Sequence, residues 1–262
     1  MAITLLVIFG LALGSFVNAF VWRFHEGMDW INARSMCTKC QHELKAKDLV
    51  PILSWVWLKG KCRYCHNKIS AQYPIIEASV TILFLLSYFY WPTAIQGVEV
   101  VVFALWLLIT TGLVALALYD LRYMLLPTKI IYTLLGLAVI ASSIIIYRST
   151  SPLAVFIEMI AASLIGGGIF YIIYLISGGK WIGGGDVRIG FLLGLLAATP
   201  GLSLLLIFIA SLIGAAVSLT LMSFKRLKRT SLIPFGPFLI TALFIVQLYG
   251  QHIVHWYNGL FL

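Results

Sequence analysis

Acidic residues are scarce in this chain: nine Asp and Glu stand against eighteen Lys and Arg in 262 residues, and charged residues of every kind make up only 10%. Soluble domains carry about 25% charged residues, so this composition excludes one. The 61% hydrophobic content and mean hydropathy of +1.02 point instead to an all-α polytopic membrane protein. Cysteine is scarce too. The four present lie between Cys37 and Cys65, so they form one local group and no disulfide framework runs through the chain. Ahead of the first apolar stretch there is no basic n-region, and after it no convincing small-residue cleavage site. That stretch is therefore expected to be a retained span and not a removed signal peptide. No glycine-rich cofactor loop of a recognisable type is present.

What the chain does have is eight apolar segments: 3–22, 74–91, 98–119, 130–147, 153–177, 187–198, 202–224 and 233–249. Most approach the ~20 residues a helix needs to cross ~30 Å of hydrocarbon. The sixth is short, and spans only if residues 181–186 count towards the crossing. With eight crossings and an outside start, 17 of the 18 Lys and Arg fall on one side, leaving Arg148 alone on the other. By the positive-inside rule the first side is cytoplasmic and both termini lie outside. The net charge of +9 is then mostly topology. No nucleic-acid partner is implied, whereas attraction to anionic membrane lipids is. Nothing in the pattern sets an oligomeric state.

Residues 25–73 are the only sizeable stretch outside the membrane, too short to build much of a core without a staple. Cys37-Thr-Lys-Cys40 and Cys62-Arg-Tyr-Cys65 supply one, since two Cys-x-x-Cys knuckles at this separation suit a tetrahedral zinc site. Disulfides are disfavoured on a cytoplasmic loop. His42 and His66 adjoin the knuckles and are read as solvated. Four protein ligands leave a metal no open position, so such a zinc is structural and any chemistry lies elsewhere.

The acids can be taken singly. Glu26, Asp29, Glu43 and Asp48 fall in the loop and read as solvated. Glu99 opens the third span, where a helix N-terminus favours negative charge. Glu158 lies in the fifth span, and is expected to snorkel or to hydrogen-bond within the bundle. Glu77 begins the second. Asp120 ends the third span and Asp186 opens the sixth, behind Gly183, Gly184 and Gly185. Counting crossings puts both carboxylates at the cytoplasmic face. Two acids at one depth can share a proton and act as a general acid–base pair. Three bare glycines admit a second backbone. The competing reading pairs Asp120 with Arg122 or Lys129, and Asp186 with Arg188, as interface anchors. A carrier using both aspartates as ion ligands is the alternative from another class, and a zinc-dependent membrane scaffold is a third.

Several motifs together resemble the type IV prepilin peptidases, the bifunctional leader peptidases and N-methyltransferases of type IV pilus and type II secretion systems. They are Gly14-Ser-Phe-Val-Asn18 with Arg23, the two knuckles around Pro51-Ile-Leu-Ser-Trp55 and Leu58-Lys-Gly-Lys-Cys62, and Tyr73-Pro-Ile-Ile-Glu77. Further along stand Asp120 with Leu126-Pro127, Gly183-Gly-Gly-Asp186, and Pro234-Phe-Gly-Pro-Phe238. The resemblance implies a helical membrane aspartic endopeptidase of the bacterial inner membrane, with Asp120 and Asp186 catalytic and zinc on Cys37, Cys40, Cys62 and Cys65. It implies prepilin or pseudopilin substrates with a short basic leader, and methylation from S-adenosylmethionine. It divides the chain into a first span (1–24), a cytoplasmic zinc-binding segment (25–73) and a seven-helix protease domain (74–262). Two positions depart from the family: Thr128, where an acid is common, and Arg188, where a lysine is.

Overall fold

The computed structural model describes residues 1–224 and 233–259. The basic cluster Lys225, Arg226, Lys228 and Arg229 lies outside them. The elements in order are α1 (Ala2–His25), a 3₁₀ turn (Ala46–Asp48), α2 (Leu53–Trp57), α3 (Gln72–Phe89), α4 (Val98–Tyr123), α5 (Thr128–Arg148), α6 (Pro152–Ser177), α7 (Gly184–Ala197), α8 (Pro200–Ser223) and α9 (Gly236–Asn258). Among the described residues there is no strand, only isolated bridges at Met36–Glu43 and Lys61–Lys68. Seven helices, α1, α3, α4, α5, α6, α8 and α9, are long and apolar enough to cross a membrane. The expected short span is α7, at 14 residues; at ~1.5 Å per residue it reaches about 21 Å. It takes in Gly184 to Asp186 but leaves residues 181–183 outside the helix.

The chain forms two compact units, Met1–Ala94 with Thr110–Ala115, and Ile95–Ile109 with Leu116–Leu262. The same device holds each together. In hydrocarbon no hydrophobic force drives helices together, so close backbone approach at small residues has to do it. In the first unit α1 and α3 run antiparallel, with Gly10 and Gly14 against the other backbone. A Cβ on Gly10 would lie 2.7 Å from Thr81 Cα, and one on Gly14 2.6 Å from Glu77 Cα. One turn on, Asn18 Nδ2 donates to Tyr73 O at 3.3 Å.

In the second unit α7 packs on α6 in the same way. A Cβ on Gly190 would lie 2.6 Å from Gly166 O, and one on Gly194 2.5 Å from Ala162 O. The Phe191 ring occupies the space a side chain on Gly167 would need. Two serine hydroxyls bind main-chain carbonyls of the neighbouring helix. Ser163 donates to Phe191 O and Ser203, at the start of α8, to Ala162 O, each at 2.9 Å. Gln247 Nε2 of α9 donates to Leu196 O at 2.6 Å. Helices α6 and α9 thus both hold the main chain of α7, which fixes its helical rotation. Glu158 is exposed on α6.

Gly194→Leu should therefore overpack the α6–α7 crossing and cost about 1–3 kcal/mol or more, read as a lower unfolding temperature of the detergent-solubilised protein. Gly136→Ala is the contrast. No atom lies within 4 Å of its added Cβ, and removing a mid-helix glycine should leave stability unchanged or raise it by about 0.5–1 kcal/mol.

Candidate active site and metal cluster

Asp120 lies inside the last turn of α4, which continues to Tyr123 and closes on Met124 in the left-handed region at φ 52. Asp186 stands in the first turn of α7, behind its N-cap Gly183. The count of crossings expects the two at one depth, and the structure links their segments through Leu126, which lies against Gly185, the residue before Asp186, and against Gly236, whose N–H meets Asp120. Asp120 is buried, at 5% exposure. Among the described residues, the ion pairs are Arg34–Glu43, Arg63–Asp48 and Arg148–Glu99. Neither aspartate is in one, so the reading of both as anchors for neighbouring cations fails on geometry. Arg188 instead donates to Thr128 Oγ1 at 2.7 Å. The two positions that depart from the family pattern are each other's partner.

A third segment completes the cluster. Gly236, the first residue of α9, donates its N–H to Asp120 Oδ2 at 3.0 Å. The first N–H groups of a helix have no partner in the helix and carry its positive end, so one of them suits a carboxylate. Glycine is needed here for space: a Cβ would lie 2.7 Å from that same oxygen. Leu126 then wedges between the two halves. A Cβ on Gly185 would lie 2.8 Å from Leu126 Cβ, and one on Gly236 3.3 Å from Leu126 Cδ2. The three glycines before Asp186 therefore differ. Gly185 is bare because Leu126 packs on it. Gly184 faces open space, and a Cβ on Gly183 would stand 3.4 Å from Asp186 Oδ2.

The cysteine knuckles are built alike. In each, the first Cys N–H bonds a carbonyl five residues on, and its carbonyl takes the N–H four residues on: Cys37 with His42 and Gln41, Cys62 with Asn67 and His66. Gln41 and His66, at the same place in each turn, have φ 56 and 57. All four sulfurs lie within 4.8 Å of one another, with Cys37 and Cys65 Sγ 3.9 Å apart. Ligands ~2.3 Å from a tetrahedral metal stand about 3.8 Å apart, so these thiols can hold a metal ion. The cysteines are free of disulfides, and the histidines stand aside, His42 against the Tyr64 ring and His66 exposed. Asp48 fastens the second knuckle to the 3₁₀ turn. Burial works against its charge, but the Arg63 guanidinium at 2.6 Å, the Lys45 N–H and the Tyr64 hydroxyl hold its carboxyl below the usual range.

Comparison with known proteins bears on this arrangement directly. Residues 8–91 match the family described as the bacterial peptidase A24 N-terminal domain, and residues 106–219 match the type IV leader peptidase family. The chain is 33% identical to a prepilin leader peptidase/N-methyltransferase of Bacillus subtilis (strain 168), over 97% of each chain. It is 30% identical to one of Aeromonas hydrophila, over 99% of this chain and 94% of that one. A type 4 prepilin-like proteins leader peptide-processing enzyme of Escherichia coli O78:H11 is 31% identical over 71% and 73% of the two chains. The chain belongs to the type IV leader peptidase family.

No solved structure matches. The family and the apolar helices together make this a multi-pass membrane enzyme, a peptidase. The carrier reading finds no support among the relatives. In the sequence Leu126 and Gly236 stand within motifs that give neither a task. The signal for Gly236 was there, in a glycine held between Pro234 and Pro237 at a helix start. Replacing Cys37 and Cys40 by Ser should remove about one bound metal ion per chain, measured by atomic absorption on the purified full-length protein.

Proposed function

We propose that this protein removes the short basic leader of type IV prepilins or pseudopilins, with Asp120 and Asp186 as the catalytic pair. The observation that carries the reading is two carboxylates, without cationic partners among the described residues, whose segments share Leu126: it lies against Gly185, the residue before Asp186, and against Gly236, whose N–H meets Asp120. The ionised carboxyl takes a proton from a water held between them as that water attacks the scissile carbonyl. The protonated carboxyl gives its proton to the carbonyl oxygen, and collapse of the tetrahedral diol then delivers a proton to the leaving amine. No covalent intermediate forms.

The Gly236 N–H and the Leu126 wedge hold Asp120 still for that exchange, while Gly183 and Gly184 leave room for an extended leader backbone. Gly185 is packing. The charge distribution, 17 of 18 Lys and Arg on one side, supports a cytoplasmic active site and cysteine segment, with both termini outside. The same reading divides the chain into a first span (1–24), a zinc-binding segment (25–73) and the protease helices (74–262). The four thiolates suit zinc, which would hold the loop and take no part in cleavage. The new N-terminus would be methylated from S-adenosylmethionine. The support for that is the name the relatives carry, and no residue of this chain is assigned to the cofactor.

Asp120→Asn and Asp186→Asn should each abolish cleavage of a co-expressed prepilin while the protein still inserts; normal processing by either variant would refute the pair. Gly236→Ala should lower cleavage by roughly a hundredfold through displacement of Asp120. Mass spectrometry of the pilin N-terminus reads cleavage and methylation together, and an unchanged rate in the Gly236→Ala protein would remove that contact from the mechanism.

A further inference from the structure

Helix α2 has an inner and an outer face. Trp55 is on the inner one: its Nε1 donates to Ile69 O at 3.2 Å, and a Cβ on Gly60 would lie 3.0 Å from its ring. Leu53, Val56 and Trp57, at positions i, i+3 and i+4, make the outer face and are 51%, 56% and 71% exposed. Adjacent apolar side chains of this size standing clear of their own protein mark an interaction site.

The backbone before α2 shows what depth that face occupies. Ile52 is held at φ 58, and its N–H donates to the buried Oε2 of Glu77 at 2.6 Å. Glu77 belongs to α3, a candidate membrane span of only 18 residues. At ~1.5 Å per residue α3 is about 27 Å long against ~30 Å of hydrocarbon, so it has no length to spare. Glu77, five residues in, lies about 7 Å along α3 from its first residue. The facing helix agrees: Glu77 Cα packs on Gly14, which is halfway along α1. A bond at that depth cannot leave α2, which begins at the next residue, standing off in solvent.

We propose that α2 is an interfacial anchor, its Leu53, Val56 and Trp57 face seated among the headgroups and upper acyl chains of an anionic phospholipid leaflet. Tryptophan is enriched at that level, and a face of this kind sinks about 5–10 Å into the headgroup boundary. Charge complements it. Lys45, Lys47, Lys59 and Lys61, all exposed, flank α2, and residues 26–71 carry eight Lys and Arg against four Asp and Glu, which suits anionic headgroups. The anchor would fix the cysteine segment against the membrane through Trp55, Gly60 and Ile69. It does not depend on the peptidase reading.

The test uses the full-length protein in nanodiscs of phosphatidylcholine and phosphatidylglycerol, with acyl chains either plain or brominated near the headgroup. Subtracting the emission of a Trp57→Phe variant isolates Trp57, and this conservative change leaves the fold intact. We expect brominated lipid to remove the Trp57 component and aqueous acrylamide to leave it. A component that survives brominated lipid but is lost to acrylamide would overturn the anchor. So would one untouched by lipid that shifts only when a prepilin peptide is added, which would make the face a substrate surface. Equal quenching in discs of phosphatidylcholine alone would overturn the requirement for anionic lipid.

Discussion

Backbone contact at glycine is the constraint on which the membrane part of this enzyme depends. Water drives soluble helices together by burying apolar side chains, but lipid tails offer those side chains an equivalent home. What remains is close packing and hydrogen bonding between main chains. Gly166 with Gly190, and Gly194 with Ala162, bring α6 and α7 close enough for both, and Ser163 and Ser203 close the arrangement through carbonyls. Because α7 is short, a small rotation about its axis would swing Asp186 away from Asp120. The glycines four and eight residues beyond Asp186 prevent that rotation, so the packing of α7 and the geometry of the proposed dyad are one problem.

Much of this was legible in the sequence because it is local or countable. Apolar runs mark the spans. A carboxylate at each of two span ends, with an even number of crossings between, puts Asp120 and Asp186 at one face without any knowledge of packing. Two Cys-x-x-Cys knuckles announce a metal cluster, because residues three apart on a turn must point the same way. The turn residues Gln41 and His66, both at positive φ, repeat that local logic and carry no special composition to advertise it.

What was not legible depends on partners far apart in the chain. Gly236 and Asp120 are separated by 116 residues, and Arg188 and Thr128 by 60. Arg188 sits two residues from Asp186, where local reasoning pairs it with that carboxylate; the structure turns it to Thr128. In the sequence Gly185 is indistinguishable from its neighbours in one open backbone, and only the fold reveals Leu126 against it. Helix α2 was invisible for another reason. It is five residues long, and no periodicity can be read from a single turn.

The diversion of Arg188 has a chemical consequence. An acid at a hydrocarbon boundary is costly, and the cheapest remedy is a neighbouring cation. A guanidinium on Asp186 would hold that carboxylate ionised through every step, and two carboxyls that must exchange one proton could then no longer do so. By spending Arg188 on a hydroxyl of the facing helix, the chain keeps a positive charge at the membrane face for topology without neutralising the pair. Asp120 is instead met by the N–H of Gly236, a partner with no net charge of its own. The site is thereby left with two acids and no bound cation among the described residues, an arrangement whose cost makes sense only if the proton shared between those acids is put to use.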